Sequence, residues 1–281
     1  VNFLKNRVIL LVGGAGSLGT ELVKKLSSFD VKTIRVFDNS ENSLQNFRLY
    51  PWFRENTEKV RLLLGDVKDY QRVLNILRNC DYVIHLAAIK HVDVCEYNMT
   101  STLGVNISGL INVIHACGER GVKKMLFISS DKAVLPTSFY GLTKAVGEKL
   151  ILWAHQTSPG TVFSTIRFPN FLPSRGSVFE VWEEQVKRGE PITITDENME
   201  RFFLPIEKCA ELCLEALKMM KGGEIFVPFH VEKYKILELA KQYSMNYEII
   251  GRRPGERLKE LMMTDEELSR AKREGSFWVI R

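Results

Sequence analysis

The side chains best able to do chemistry lie between residues 127 and 149, in FISSDKAVLPTSFYGLTKAVGEK. Tyr140 and Lys144 stand four residues apart, so on a helix they share a face, and the ammonium is expected to lower the phenol's pKa by charge proximity. A phenolate takes a proton from an alcohol or sugar hydroxyl while hydride leaves the carbon beneath it. Ser130, Asp131 and Lys132 come just before, where an apolar strand breaks at Ser129-Ser130 and the chain turns. Five hydroxylic or ionisable groups are thereby gathered at the mouth of a sheet. An isolated YxxxK also occurs on the surface of ordinary amphipathic helices, so the elements around it must decide.

Those elements begin with Val8 to Val12, a continuous apolar run of the kind buried on both faces of a parallel sheet. Gly13-Gly14-Ala15-Gly16-Ser17-Leu18-Gly19 follows, then a helical pattern carrying Leu22, Val23 and Leu26. Glycines between a strand and a helix let the backbone approach a pyrophosphate seated on the helix N-terminus, so Gly13, Gly16, Ser17, Leu18 and Gly19 are candidates for binding a dinucleotide. A second strand ends in Asp38, about 20 residues on, where a carboxylate accepts from the adenosine ribose. That favours NAD, while Arg35 and Arg48 keep NADP open. After a third strand, Asp66 and Val67 stand where the adenine would lie, and Asp66 could instead cap the next helix. The fourth strand runs into Ala87 and Ala88, small enough for a cofactor to lie against the backbone, followed by Lys90 and a solvated loop histidine, His91.

Residues 103–117 read as one helix in which Asn106 is a satisfied polar group at a bend. A fifth strand delivers the reactive stretch. Regular alternation of strand and helix calls for an α/β fold with a doubly wound parallel sheet, and ligands then collect at the strand C-termini. Beyond the sixth strand, Val162 to Phe168, the alternation loosens. Two units are therefore expected: a dinucleotide-binding Rossmann domain over 1–168 and a small α/β lobe over 169–281, with the chain free to cross back between them. The acidic and basic stretch from Thr264 to Arg273 reads as a solvated helix. Arg175, Arg201 and Arg253 lie in irregular segments of the lobe, where guanidinium groups can surround a phosphate.

Composition narrows the classes. The 281 residues carry a formal charge of +5 with basic residues spread along the chain, which does not indicate a nucleic-acid groove. Five cysteines show neither a disulfide framework nor metal-ligand spacing, and Cys209 and Cys213 read as buried apolar fillers. With no long apolar run and no signal-peptide pattern, a cytoplasmic protein away from membranes is expected.

The chain resembles the extended short-chain dehydrogenase/reductases and, more narrowly, the soluble UDP-N-acetylglucosamine 4,6-dehydratases of the inverting type. The likeness is carried by GGAGSLG at 13–19, HLAAIKHVDVCEYN at 85–98, SSDKAVLPTSFYGLTK at 129–144, SRGSV at 174–178, ERFF at 200–203, GEIFVP at 223–228 and RPGERLKE at 253–260. It implies that Tyr140 is the base at the sugar O4, that Lys144 holds the phenol's pKa down and the cofactor ribose in place, and that Ser130 hydrogen-bonds O4. It implies further that Asp131 protonates the departing O6 and Lys132 takes the C5 proton. Lys90, Asn170 and Arg175 would line the sugar nucleotide, with Ser177, Val178, Arg201, Arg253 and Glu256 completing its surroundings. Pro169 and Lys259 depart from the family pattern, which usually has glycine and often histidine there. The expected protein is a lyase of surface-polysaccharide synthesis with tightly bound NAD or NADP, a UDP-sugar substrate and a homo-oligomeric state. A nucleotide-sugar 4-reductase or 4-epimerase would need Tyr140 and Lys144 without an acid at O6, and a non-catalytic dinucleotide-binding protein would need none of the five.

Overall fold

The computed structural model describes residues 2–173 and 176–281. In chain order its strands are β1 (Val8–Val12), β2 (Thr33–Asp38), β3 (Val60–Leu64), β4 (Tyr82–His85), β5 (Lys124–Ser130), β6 (Val162–Phe168), β7 (Asn170–Leu172), β8 (Ile192–Ile194), β9 (Glu200–Pro205), β10 (Ile225–Pro228), β11 (Glu232–Lys235), β12 (Tyr247–Ile249), β13 (Lys272–Glu274) and β14 (Phe277–Ile280). One sheet runs β3-β2-β1-β4-β5-β6-β10-β14-β13, parallel as far as β10 and antiparallel in its last two strands. Ile9 and Leu11 enter the core on one face of the sheet, and Val8, Leu10 and Val12 the core on the other, which is why β1 is apolar throughout. Helices Ser17–Ser27 and Ile206–Met219 cover the first face; Tyr70–Ile76, Gly109–Arg120 and Phe139–Thr157 cover the second. This is the doubly wound α/β arrangement expected.

The strands after β6 are divided among three sheets. Strands β10, β13 and β14, from the C-terminal part, extend the main sheet, while β7, β9 and β11 form a separate three-stranded sheet and β8 pairs with β12. The lobe has its own core of Trp182, Ile192, Ile194, Met199, Phe203, Ile236 and Ala240. All five cysteines are buried and unpaired. Among the described residues no helix is long and apolar enough to cross a membrane.

Local details correct three expectations. Strand β5 does not break at Ser129-Ser130; both residues stay in register with Arg167 and Phe168 of β6, and the turn starts at Asp131. The helix expected over 103–117 is interrupted, since Gly104–Ser108 is π-helical between Met99–Leu103 and Gly109–Arg120. Asn106 sits in that segment, accepting from the Ile89 amide at 2.8 Å and donating to the Ile89 carbonyl at 3.1 Å and the Thr143 hydroxyl at 3.0 Å. The widened turn aims one amide group at two elements that wall the site, a recurrent use of π-bulges.

The third correction concerns Thr264 to Arg273. Only Asp265–Arg270 is helical, Lys272–Glu274 is strand, and Glu267 is half-buried. It closes a capping box with Thr264 and reaches Arg167, the 1%-exposed arginine of β6. Arg167 binds Glu148 through Nε at 3.0 Å and Nη2 at 2.7 Å, Glu267 at 3.0 and 3.1 Å, and the Met262 carbonyl at 2.8 Å. Ser129 donates to the same Glu148 at 2.6 Å. Removing one member leaves buried charge uncompensated, so Arg167→Met should lower the unfolding free energy by about 3 to 5 kcal/mol in denaturant titration. A loss below about 1 kcal/mol, the scale of a surface pair, would show that the cluster does not hold these elements together.

Candidate active site

A cleft of about 560 Å³ opens at the C-terminal ends of the parallel strands. Gly13, Gly16, Ser17, Leu18, Gly19, Asp38, Asp66, Val67, Ala87, Ala88, Tyr140 and Lys144, the residues read as cofactor-binding, all line it. Gly13 has φ +75°, and a Cβ there would stand 2.5 Å from the Ala87 backbone, so only glycine lets these two loops meet. The helix Ser17–Ser27 has no side-chain cap at Gly16, the form in which first-turn amides take an anion. Asp38 accepts from the Ala15 and Ser40 amides, each at 3.0 Å, and so sets the glycine loop against the end of β2. Asp66 accepts from the Lys68 amide, while Asp69 caps the following helix, which removes capping as the role of Asp66. Arg35 donates to the carbonyls of Ile76 and Arg78, and neither it nor Arg48 lines the cleft.

Ser130, Lys132 and Asn170 line the same cleft. The helix carrying Tyr140 and Lys144 is fixed at its start by Ser138, which accepts from the Gly141 amide at 3.1 Å, and by Glu96, which accepts from the Phe139 amide at 2.7 Å. At Gly141 a Cβ would lie 2.3 Å from the Lys132 carbonyl, so this helix can approach the Asp131–Ala133 turn only through a glycine. Lys132 Nζ lies 3.1 Å from Asp131 Oδ1 and 3.4 Å from Asn170 Oδ1. The Asn170 amide is oriented by donating to the Phe202 carbonyl at 3.0 Å, which leaves its oxygen for the lysine despite the proline at 169. Asp131 is fully buried and lines neither cavity; its Oδ1 accepts from Ser130 at 2.8 Å, and Oδ2 has no partner among the described residues.

The electrostatics depart from the expected pairing. Lys144 Nζ donates to the Ile128 carbonyl at 2.8 Å and lies 5.9 Å from the Tyr140 ring centre, and burial brings its own pKa down to about 8. Tyr140 is not lowered. Burial, then the charge of Asp131, push the phenol well above its ordinary value, against a hydrogen bond with Ser130 that pulls it down. Sequence spacing places Lys144 on the right helical face but cannot register how completely the phenol is desolvated. His85, fully buried at the end of β4 with neither ring nitrogen bonded among the described residues, is held neutral by burial and by Lys144, its pKa brought to about 3. It is no acid or base at neutral pH.

A second cavity of about 210 Å³ shares Lys90, His91, Lys132 and Asn170 with the cleft. Arg201, Arg253 and Glu256 line it, as the sequence suggested for a bound anion, and His91 is exposed where the two meet. Arg201 is 8% exposed, with Nη1 bonded to the Glu200 and Leu258 carbonyls. Ser177 and Val178 line neither cavity: Ser177 precedes the helix Val178–Lys187, and Val178 packs on the lobe core. Arg175 lies outside the described residues.

The chain matches the family described as "Polysaccharide biosynthesis protein" over residues 9–281. It is 38% identical over 264 residues to a UDP-N-acetylglucosamine 4,6-dehydratase (inverting) of Campylobacter jejuni, covering 92% of this chain and 78% of that one. The chain belongs to the polysaccharide biosynthesis protein family. Another relative, a UDP-glucose 4-epimerase of Rickettsia prowazekii, is 32% identical over 98% of this chain and 83% of its own. The solved structure of Pen from Bacillus thuringiensis superposes with a TM-score of 0.94 at 36% identity, covering 99% of this chain and 90% of that one. The extended short-chain dehydrogenase/reductase resemblance therefore stands, within a family that holds both dehydratases and epimerases.

The sequence reading passed over Glu260. It is 6% exposed, lines the second cavity, has an unbonded Oε2 and stands 4.0 Å from Arg257. Its only signal was a carboxylate ending the RPGERLKE match, among residues read as phosphate ligands. Burial, moderated by Lys132 and reinforced by Asp131, raises its pKa above the ordinary 4.5. Below that value Glu260 is neutral folded or unfolded and costs nothing; as pH rises through its folded pKa the native state must carry a buried charge. The stability advantage of Glu260→Gln over the parent should therefore grow from pH about 4 toward neutrality and then level off in thermal melts. A gap that does not change with pH would assign Glu260 an ordinary carboxyl.

Proposed function

We propose that the chain is a nucleotide-sugar 4,6-dehydratase acting on a UDP-N-acetylhexosamine, first of all UDP-N-acetylglucosamine, with NAD held in the cleft. The observation that carries this reading is the Asp131–Lys132 pair, 3.1 Å apart beside Ser130 and Tyr140, with Asp131 fully buried and Lys132 lining the cleft. Oxidation at a sugar C4 needs Tyr140 and Lys144 alone. Loss of water across C5 and C6 needs in addition a base for the C5 proton and an acid for the departing O6, two groups of opposite protonation at one locus. Tyr140 takes the O4 proton with Ser130 bonded to O4, Lys132 takes the C5 proton that the C4 ketone has made acidic, and Asp131 protonates O6. Lys90 and Asn170 meet the sugar, and Arg201, Arg253 and Glu256 the nucleotide diphosphate end. The named dehydratase relative supports the reaction, and the cavity joined to the cleft at Lys132 and Asn170 supports where the sugar sits.

The residues present fit NAD. Gly13, Gly16, Ser17, Leu18 and Gly19 would hold its pyrophosphate, Asp38 the adenosine ribose, Asp66 and Val67 the adenine, Ala87 and Ala88 its flank, and Tyr140 and Lys144 the nicotinamide ribose. When bound, NAD supplies acceptance of hydride from C4 and its return to C6, and in the oxidised form a positive charge that favours the Tyr140 phenolate. NAD is preferred to NADP because Asp38 would repel a 2′-phosphate, Arg35 is turned to the carbonyls of Ile76 and Arg78, and Arg48 does not line the cleft. Asp38→Ala should weaken NAD binding and narrow the preference over NADP in parallel titrations; equal losses for both cofactors would mean that Asp38 does not read the ribose.

Asp131→Asn keeps size and much of the hydrogen bonding but has no proton for O6. It should bind cofactor and UDP-N-acetylglucosamine normally and form 4-keto-6-deoxy product about 10² to 10⁴ times more slowly, followed by NMR without added reductant. Turnover to that product within a few-fold of the parent would remove the acid role and move the 4-epimerase or 4-reductase reading to the front.

A further inference from the structure

We propose that Arg257 is a positioning residue for Asp131 and Lys132, clamping in a strained conformation the short link that joins their turn to the helix of Tyr140. The inference rests on the dehydratase reading and deepens it. The link runs from Val134 to Ser138, between the turn Asp131–Ala133 and the helix Phe139–Thr157. Within it Leu135 has φ +45°, a left-handed backbone that a leucine rarely adopts. Its side chain is 59% exposed, so packing does not impose that conformation. Pro136 comes next, and the residue before a proline relaxes toward extended backbone. What opposes the relaxation is Arg257, whose Nη1 donates to the Val134 carbonyl at 2.9 Å and to the Leu135 carbonyl at 3.1 Å. These carbonyls belong to the two peptide planes on either side of the Leu135 Cα, and the rotation of one plane against the other is what φ and ψ of Leu135 describe. Glu260 Oε2 stands 4.0 Å from the same nitrogen, beyond hydrogen-bond length, and does not compete for it.

The segment that carries Arg257 is itself held on both sides. The Leu258 carbonyl accepts from the Glu200 amide at 2.9 Å and from Arg201 Nη1 at 3.2 Å, which ties the segment to β9. The Gly255 carbonyl accepts from the Thr137 hydroxyl at 3.1 Å, which ties it a second time to the link. Residues 253–258 therefore present Arg253 and Glu256 to the second cavity and, from the same few residues, grip the backbone between Lys132 and Tyr140. That backbone matters because the helix of Tyr140 meets the Lys132 carbonyl directly at Gly141. When Leu135 relaxes, turn and helix shift past each other at this contact, and Lys132 leaves its place relative to Tyr140 and to the sugar C5. A misplacement of about 1 Å at a reacting group costs about 10²-fold in rate. Strain of this kind persists only where the surroundings over-determine it, and here a guanidinium anchored on the lobe does so.

Two measurements on the full NAD-loaded chain decide it. The first is hydrogen exchange without sugar, read by mass spectrometry over residues 131–138. The amides of Lys132 and Val134, bonded to Ser130 Oγ at 3.3 Å and to the Asp131 carbonyl at 3.1 Å, should exchange faster in Arg257→Ala than in the parent. Unchanged exchange there overturns the clamp, and this arm does not depend on the sugar assignment. With UDP-N-acetylglucosamine, Arg257→Ala should lower kcat about 10²-fold and leave KM within a few-fold of the parent. Leu135→Gly alone should stay within a few-fold of the parent, because glycine takes a positive φ without strain while Arg257 still holds both carbonyls. Added to Arg257→Ala, Leu135→Gly should recover turnover about 5- to 30-fold, the population that a left-handed leucine forfeits. A rise in KM with kcat intact would make Arg257 a ligand of the substrate, and a double variant no faster than Arg257→Ala would show that the arginine does not act through Leu135; either result overturns the proposal. Where Arg257→Ala does not fold, Arg257→Met, which keeps the apolar stem, carries the same comparison. A parent that makes no keto product fails the dehydratase reading instead, and leaves the exchange arm to decide the clamp.

Discussion

A buried guanidinium sets the distances on which the site depends. Arg167 lies among apolar neighbours in β6, and a charge there is tolerable only with its hydrogen-bonding capacity filled. Its partners come from two places: Glu148 on the helix of Tyr140 and Lys144, and Glu267 and the Met262 carbonyl in the C-terminal segment. Ser129, one residue before Ser130 of the cleft wall, bonds to the same Glu148. The ends of β5 and β6, the helix bearing Tyr140 and the segment ending the second cavity are therefore held by one set of charges. Such a cluster adds little net stability over an apolar replacement, but it tolerates only one arrangement of its members.

What the sequence disclosed best were features whose signal is local. A glycine loop between an apolar strand and a helix, an acidic residue closing the next strand, and Tyr140 four before Lys144 each carry their mechanical reason within a few residues, and the structure brings all of them to one cleft. Lobe strands of three or four residues, such as β11 and β12, are too short to show a period, and the pairings that create them are distant in sequence. Glu267 was hidden for the same reason: its capping box with Thr264 is readable, but the reason it is half-buried is an arginine a hundred residues away. Proximity of charge was legible for Tyr140 and desolvation was not, so even the direction of its shift needed coordinates.

On the proposed reading the site meets a conflict between two protonation states. An acid and a base of opposite ionisation cannot both be kept ready by exposure to one solvent at one pH. Here the carboxyl lies behind the wall of the cleft while the phenol and both lysines line it, and a single serine joins the two layers. Asn170 contributes from the other side, tying Lys132 to a strand of the lobe, so that the reactive lysine is positioned by both parts of the chain.

The return of β10, β14 and β13 to the main sheet means that the chain passes between sheet and lobe several times instead of once. In mechanical terms the lobe is not a flap on a single string but a plate pinned at several points along one edge. Twisting or sliding the lobe past the sheet would displace strands of that sheet, because the chain passes between the two at several points. A ligand spanning both cavities would therefore meet the sheet and the lobe in one fixed relation, at Lys132 and Asn170, which line both.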